Sequence, residues 1–540
     1  MATTLATKRP EFSLSPQYRR QRAVQEPFGR VPSRSRFVEP VLALATGFSL
    51  AAAPAFAQTF RVTPSIAVEE TFTTNVNLEP RADAKNDFIT QITPSLSVNE
   101  LGNRLKLQGS ISAPILIYAR TGADNDKVEP QVSLVGNAEL VEKLLFVEAL
   151  VSVTQAYVSP FGARPVTLTT TTGNRFTAET YTVSPYVVGG RGDYSYELRD
   201  KHIWTTSNGS VASIPTSSYT NEIVGSLSRR PLPVGWTVQF DRSDVKFSDQ
   251  GALLTQMVRA RAIWRPDPQV ELSGGGGYED NRYTAARYKD PTYGFGVRWQ
   301  PTERTTVSAD YEHRFFGASY NLAFSHRTPL SVWSVQATRD TSTYPQQLAT
   351  LPAGSNVSAL LNQLLLSIIP DPIQRQAYID ELIRSGNLPP LLGGPVTLLT
   401  QQVLLREYAS GTVGLLGVRN EVFLSIFRSR SQPVAGAGIA LEGAVSSLAD
   451  NTQTGGSIVW THKLTPSLAM NASADVLRTT ANASSFGTTN QGALRSTLTT
   501  PLSANTSAYA GVRYQRLHSD VTSDFNEFAL YVGLSHVFRR

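Results

Sequence analysis

Apolar and polar residues alternate along most of the chain, over residues 60–342 and again over 401–538. A period of two predicts β-strands that present one apolar and one polar face. One clear segment places apolar residues at every second position: Tyr293, Phe295, Val297 and Trp299. Between them stand Thr292, Gly294, Gly296 and Arg298. Because the pattern recurs in segments of about ten residues, the chain is predicted to be all-β.

Short turns alternate with longer polar loops between these segments. The short turns contain turn-forming residues, as in Pro266-Asp267-Pro268 and Pro301-Thr302-Glu303. The longer loops cover residues 77–86, 121–127, 159–174, 206–217 and 281–288. Short turns at one rim and long loops at the other are typical of transmembrane barrels. We therefore predict a large antiparallel transmembrane β-barrel of about 22 strands, within a range of roughly 18 to 24.

A soluble all-β protein, such as a sandwich array or a propeller, would show the same alternation. It would place charged residues on its outward face, whereas here the exposed face would have to be the apolar one. Residues 528–538 also end in an aromatic residue, as the closing strand of outer-membrane barrels does. We expect this strand to pair with the one near Val62 and to carry the assembly signal, in Leu530, Val532, Leu534 and Phe538.

The first 57 residues have the composition of a secretory signal peptide. A basic segment precedes an apolar run over residues 41–53, and Ala55-Phe56-Ala57 fits a small-x-small cleavage pattern with Ala55 and Ala57 at its recognition positions. The alternative is a membrane anchor, but the run is shorter than the ~20 residues that a spanning helix needs. We expect residues 58–540 to be exported to the outer membrane of a Gram-negative bacterium.

The predicted leader changes the meaning of the net charge of +6. Residues 1–57 hold eight Lys and Arg and three Asp and Glu, which leaves 41 basic against 40 acidic residues in the rest of the chain. Net basicity therefore gives no support to nucleic-acid binding. Because the chain has no Cys, it can form neither disulfides nor thiolate metal sites.

Residues 343–400 depart from the strand pattern. Val357, Leu361, Leu364 and Ile368 follow the helical period, and Asp371-Pro372 begins a second helical stretch with a capping residue and a favourable first position. We predict a helical hairpin insert. Four roles stay open for it: a cap over the barrel mouth, a plug in the lumen, a contact with a partner, or a self-packed surface element.

Several charged residues fall on the predicted inward face of the strands. They carry both signs, so the sequence indicates a polar lumen without a preference for anions or cations. A barrel of about 22 strands is wide enough to need either a channel or a plug. The candidate lumen-facing residues are Arg298, Asp310, Glu312, Arg314 and Arg513.

Motifs for enzymatic or metal chemistry are weak. The run Gly274–Gly277 lacks the Lys-Ser/Thr of a phosphate loop and is better explained by glycines in a crowded lumen. Asp124-Asn125-Asp126 lacks the remainder of a calcium loop. The six His residues form no metal motif, and no G-x-S-x-G segment occurs. We expect no cofactor, metal or catalytic residue, although a hydrolase site assembled across strands stays an alternative.

The first two predicted strands resemble a family of outer-membrane proteins associated with PEP-CTERM/exosortase systems. The resemblance rests on residues 70–78, E-T-F-T-T-N-V-N-L, and residues 87–98, which include T-P-S-L-S. It extends to residues 369–372 in the insert and to residues 414–420, so it would cover most of residues 58–540. The chain departs from the family pattern at Phe72, Thr74 and Ser95, where Tyr, Asp and Gly are usual. The resemblance implies a barrel often encoded near exopolysaccharide and surface-protein sorting genes, with no defined reaction.

Together these features predict a channel or surface component associated with exopolysaccharide or other envelope polymer export. The alternative is a structural or adhesion barrel that binds partners through its long loops. The expected partners are outer-membrane lipid and lipopolysaccharide, the barrel assembly machinery, and polysaccharide or its export proteins.

Overall fold

The computed structural model describes residues 61–208, 217–248, 250–283, 286–349, 402–434, 449–482 and 487–538. Within the insert it also describes positions 361, 362, 365, 369, 375, 379, 393–396 and 400. The predicted signal peptide, with Ala55 and Ala57, lies outside the described residues.

Antiparallel strands make up 73% of this part of the chain, in 24 segments that form one sheet. They are β1 Arg61–Thr73, β2 Asp87–Leu101, β3 Leu105–Ser112, β4 Ile115–Tyr118, β5 Lys127–Val128, β6 Gln131–Val141, β7 Leu145–Tyr157, β8 Arg175–Arg191, β9 Tyr194–Asn208, β10 Ser217–Arg229, β11 Val234–Phe247, β12 Gln250–Asp267, β13 Val270–Arg282, β14 Arg287–Thr302, β15 Thr305–Arg314, β16 Gly317–Arg327, β17 Ser331–Ser342, β18 Leu404–Leu416, β19 Asn420–Pro433, β20 Asn451–Lys463, β21 Ala469–Ala481, β22 Thr488–Pro501, β23 Thr506–Ser519 and β24 Phe525–Val537.

The 24 segments correspond to 22 barrel strands. Segments β3 and β4 both pair with β2 and are interrupted at Pro114, and β5 and β6 are interrupted at Pro130. Proline has no backbone N–H to donate to the ladder, so both interruptions have a local cause. The sheet closes where β1 pairs with β24, from Ser65 opposite Val537 to Thr73 opposite Ala529. The prediction of a closed antiparallel barrel of about 22 strands is confirmed.

Only two short helices occur as complete elements among the described residues: α1, Gly122–Asn125, and α2, Tyr344–Ala349. No helix in this part of the chain is both long enough and apolar enough to cross a membrane.

The outward face of the barrel is the apolar one. On β14, Tyr293, Phe295, Val297 and Trp299 are 40–60% exposed, whereas their inward neighbour Gly296 is buried. Tyr293 and Trp299, the first and last aromatic residues of this run, lie roughly 20 Å apart along the strand. Water would not stabilise such a surface, so its natural solvent is lipid.

The two rims of the barrel differ in their connections. At one rim the connections are tight, as between β8 and β9, where Gly192 has a positive φ of 61°. At the other rim lie the longer connections, including residues 158–174 and the insert that follows β17. These are called the short-turn rim and the long-loop rim. In transmembrane barrels the long loops are extracellular.

The last strand has the orientation that its sequence predicts. Leu530, Val532, Leu534 and Phe538 are about half exposed on the lipid-facing side, while Ala529 and Tyr531 are buried on the lumen side. The backbone N–H of Phe538 donates to the carbonyl of Pro64 at 2.9 Å, which extends the pairing with β1 to the rim.

Candidate functional site: the occluded lumen

Glycines line part of the inner face between β12 and β15, and we call this patch the glycine floor. Gly275 and Gly277 on β13 and Gly294 and Gly296 on β14 share the inward face. A Cβ at Gly275 would lie 2.0 Å from the carbonyl oxygen of Ala260, so no other residue fits there without a shift of the backbone. The glycine run in the sequence therefore brings neighbouring strands close together and leaves the space above them free.

Two arginines of β12 reach across this floor to β15. Arg259 contacts Asp241 at 2.7 Å and Glu312 at 3.2 Å, and Arg261 contacts Asp310 at 3.0 Å. The partners on β15 lie beyond β13 and β14 in the sheet. A side chain on either intervening strand would obstruct these contacts, so the glycines explain how the charges pair.

A second charge network lies nearer the long-loop rim. Glu279 is fully buried and accepts hydrogen bonds from Arg314 Nη2 at 3.0 Å and from Asn281 Nδ2 at 3.0 Å. Its other oxygen accepts the backbone N–H of Phe315 at 2.6 Å. Arg314 also pairs with Asp340 on β17. Both carboxylate oxygens of Glu279 are therefore satisfied, as a buried charge requires.

Residues 158–174, the connection between β7 and β8, fold into the lumen. They cross to strands beyond the β1–β24 seam, where Thr479 Oγ1 donates to the carbonyl of Pro160 at 3.1 Å and Thr489 Oγ1 to that of Phe161 at 3.4 Å. Arg164 exchanges hydrogen bonds with Gln491 through its backbone N–H and carbonyl. We call this segment the inner loop.

Arg513 fixes the other limb of the inner loop. Its guanidinium pairs with Glu527 at 2.7 Å and donates to Thr167 Oγ1 at 2.6 Å. Its side chain is only 1% exposed. Arg513 therefore anchors the inner loop and does not line open water.

The insert that follows β17 begins by crossing the lumen. Helix α2 lies against β8 to β10, where Tyr344 packs on Phe176 and Ala178. Gln346 Nε2 donates to Glu222 Oε1 at 2.9 Å and to Ser243 Oγ at 3.3 Å.

The next described residues of the insert lie near the short-turn rim. Leu361, Leu365 and Ile379 are buried in one apolar cluster with wall residues of the inner face: Val332, Phe423 and Val459. Val332 is the second residue of β17 at the short-turn rim, ten positions from Ser342, where the insert leaves the same strand. Ten residues of strand span roughly 33 Å. The insert therefore reaches from the long-loop rim to near the short-turn rim.

The return limb of the insert rises along β20. The N–H of Gly393 donates to Ser457 Oγ at 3.2 Å. Further up, Val396 and Gln453 exchange two hydrogen bonds, of 2.7 and 3.0 Å. Arg164 of the inner loop donates to the carbonyl of Gly394 at 3.0 Å. The insert and the inner loop are therefore bonded to each other as well as to the wall.

A cavity of about 290 Å³ remains between the inner loop, the return limb and strands β20 to β22. Its polar lining includes Arg164, Asp475, Gln491 and Arg495. Arg495 is held by Tyr531, whose hydroxyl accepts its Nε–H at 2.9 Å. Guanidinium, carboxylate and amide groups at one place can bind the hydroxyl or carboxylate groups of a polar solute.

The five predicted lumen residues differ in their surroundings. Asp310, Glu312, Arg314 and Arg513 point inward and are ion-paired, and only Arg298, near the short-turn rim, is inward and exposed. Sequence reasoning missed Arg164, Gln453 and Asp475. They lie in a loop or on strands without a distinctive motif, so only the path of the insert singles them out.

Other motifs of the sequence have structural surroundings. Asp126 Oδ1 accepts the backbone N–H of Tyr118 at 2.7 Å, and Asn125 bonds to Asn77 and Thr121. No group of three or more His, Asp or Glu residues that could hold a metal ion occurs among the described residues.

Comparisons with known proteins give similarity of fold only. No family model matches the chain, and no curated protein matches its sequence. The siderophore receptor PirA from Acinetobacter baumannii is 9% identical with a TM-score of 0.44, over 89% of this chain and 81% of that one. The FrpB iron transporter from Neisseria meningitidis is 8% identical with a TM-score of 0.45, over 88% and 81%. OccK1 from Pseudomonas aeruginosa is 7% identical with a TM-score of 0.32, over 88% and 99%.

Proposed function

We propose that this protein is an outer-membrane channel that its own insert holds closed. The apolar outer band supports a place in lipid, and the predicted signal peptide supports the outer membrane. A barrel of 22 strands is too wide for its wall side chains to fill. The lumen instead contains the inner loop and the insert, both held by hydrogen bonds and, for the insert, by an apolar cluster.

One observation carries the proposal: the insert packs on the inner wall near the short-turn rim through Leu361, Leu365 and Ile379. A loop that only covered the outer mouth would not reach this depth. The polar groups of the cavity support a hydrophilic solute. The resemblance of the first strands to barrels encoded near exopolysaccharide genes supports a polysaccharide or another envelope polymer as that solute, and transport rather than catalysis as the activity.

Replacing the insert tests this proposal. Ser342 and Leu404 lie directly opposite each other on β17 and β18, so a short Gly-Ser turn can replace residues 343–403 without disturbing either strand. In planar bilayers and in liposome swelling assays with neutral sugars, we expect the shortened protein to conduct at least tenfold more than the full chain. A correctly folded, heat-modifiable shortened barrel that conducts no more than the full chain would contradict the proposal.

A disulfide lock gives an independent test without deletion. A Cβ at Gly393 would lie 3.5 Å from the Cβ of Ser457, within the range that a disulfide needs. Since the chain has no Cys of its own, Gly393→Cys with Ser457→Cys forms a single defined crosslink. If the insert can leave the lumen, the full chain opens briefly in planar bilayers. We expect oxidation to abolish these openings and reduction to restore them. Each single-cysteine variant is the control and is expected to ignore the redox state.

A further inference from the structure

A row of polar residues crosses the outer, lipid-facing side of five neighbouring strands, β19 to β23. Each member lies directly opposite the next one on the neighbouring strand: Arg428, Thr454, Arg478, Asn490 and His518. Because neighbouring strands lie about 4.8 Å apart, the Cα atoms of Arg428 and Arg478 are roughly 10 Å apart. Four of these residues offer a nitrogen donor to the surroundings of the barrel. The fifth, Thr454, is also exposed.

Two more arginines adjoin this row on the same face. Arg430 lies one step nearer the long-loop rim, and Arg516 lies one step nearer the membrane, opposite Gly492. Arg428, Arg430, Arg478 and Arg516 are all exposed. Arginines of the inner face such as Arg259 and Arg513 have carboxylate partners, whereas these four have no ion-pair partner among the described residues.

The acidic residues close to this face are already engaged. Glu407 lies opposite Arg430 but accepts a hydrogen bond from Arg339 at 2.9 Å on its other side. Asp524 is paired with His518 at 2.6 Å. Hydrogen bonds from His518 and from the N–H of Ser519 lower the pKa of Asp524. Asp450 and Asp520, next to the rim ends of β20 and β23, accept hydrogen bonds from Asn482 and from the N–H of Thr488. The guanidinium groups of Arg428 and Arg478 are therefore left without an ion pair among the described residues.

Apart from Arg516, the two rows directly below hold apolar residues and glycine. Two residues nearer the short-turn rim from Arg428 and Arg478 lie Ile426 and Val476, which are 60% and 63% exposed, and the next row includes Leu424 and Leu494. Cations thus lie immediately above a surface suited to acyl chains. The wall on the other side of the barrel differs, because there the outward Arg287 pairs with Asp280 at 2.6 Å.

We propose that the outer wall of β19 to β23 binds a phosphorylated lipid of the outer leaflet. Its acyl chains would lie on the apolar rows, and its phosphates would accept hydrogen bonds from Arg428, Arg478 and Arg516. The proposal rests on the outer-membrane location proposed above, which places the long-loop rim at the cell surface. Charge complementarity selects an anionic headgroup, and the adjoining apolar rows select a lipid as its source.

Arginine suits this role because its planar guanidinium binds a phosphate through two parallel hydrogen bonds. Two such groups roughly 10 Å apart can bind separate phosphates of one headgroup. A lipid with two phosphates is therefore expected to bind more tightly than the same lipid with one.

The test measures lipid binding to the purified full-length barrel in detergent, by native mass spectrometry. The probes are bisphosphorylated lipid A, the dephosphorylated lipid with the same acyl chains, and inorganic phosphate. We expect Arg428→Gln with Arg478→Gln to weaken bisphosphorylated lipid A binding at least tenfold. Arg282→Gln on the opposite wall is the matched control, because Arg282 is an outward arginine paired with Asp280, and it is expected to bind like the unaltered protein.

Three results would overturn the proposal. They are equal binding of the two lipids by the unaltered protein, unchanged binding by the double variant, and displacement of the lipid by inorganic phosphate at the lipid's own concentration. The last would indicate a site for free phosphate. The binding assay does not depend on conductance, so its failure is distinguishable from failure of the channel proposal. We expect the double variant to conduct like the unaltered protein.

Discussion

Two sectors of the barrel wall differ in what contacts the side chains of their inner faces. Between β11 and β15, charged side chains pair with one another across a floor of glycines, and Arg314 also pairs with Asp340 on β17. Between β17 and β20, the inner face presents Val332, Phe423 and Val459, which the insert covers. The charges of the first sector have their partners on wall strands, whereas the apolar face of the second needs a segment that the strands do not supply.

This difference indicates which segment in the lumen can move. Separating Glu279 from Arg314, the buried ion pair of the first sector, would leave charges without partners away from water, which costs several kcal/mol. Releasing the insert from the second sector exposes apolar surface at about 25 cal/mol per Å² and breaks hydrogen bonds that water can replace. We infer that movement in the lumen occurs in the β17 to β20 sector, while the β11 to β15 sector stays fixed.

The largest effect is expected from breaking the buried network of the fixed sector. Glu279→Leu leaves Arg314 with Asp340 as its one ion-pair partner among the described residues, so the free energy of unfolding should fall by about 3–5 kcal/mol. Denaturant unfolding of the barrel in vesicles, followed by tryptophan fluorescence, measures it. Asp280→Asn on the outer face is the control and should unfold like the unaltered protein. An equal loss in both variants would contradict the assignment.

The next effect concerns the glycine floor. Gly275→Ala forces a Cβ against the carbonyl of Ala260, and overpacking of this kind should cost about 3 kcal/mol of stability. Its neighbour Gly274 points outward, and a Cβ there would meet nothing closer than 3.9 Å. Gly274→Ala should therefore leave the unfolding midpoint unchanged. Similar midpoints for the two variants would mean that the strands relax and that the floor is not needed.

The smallest effect concerns the insert, which should bind the inner wall less tightly while the stability of the barrel is unchanged. Val459→Ala removes two methyl groups from the cluster that holds the insert, a loss of roughly 2 kcal/mol in docking free energy. Limited proteolysis within residues 343–400 should become several-fold faster while the barrel unfolds at the same denaturant concentration. Ile458→Ala, which changes the lipid-facing neighbour, should not alter the proteolysis rate.

Much of the wall could be predicted from the chain because each strand repeats the same constraint. A residue such as Phe295 or Leu530 must face lipid, and its neighbours must then face inward. The inward orientation of Asp310, Glu312 and Arg314 follows from the same alternation. Their pairing does not follow, because Arg259 and Arg261 reach β15 across two intervening strands.

The position of the insert could not be predicted from its local sequence. Its helical period marks Leu361 and Leu365 as apolar positions, yet the same period would serve a cap, a plug or a partner contact. Their burial on Val332, Phe423 and Val459 depends on residues from β17, β19 and β20, which meet only in the closed barrel.

The fold class, the approximate strand number and the lipid-facing side of each strand could be predicted from the amino-acid sequence, because these depend on a local period of two. What fills the lumen, and which charges line up on the outer wall, depends on how distant strands meet. The cavity at Arg164 and Asp475 and the row from Arg428 to His518 each join residues of several strands. Their proximity follows from strand register and closure, which no single segment specifies.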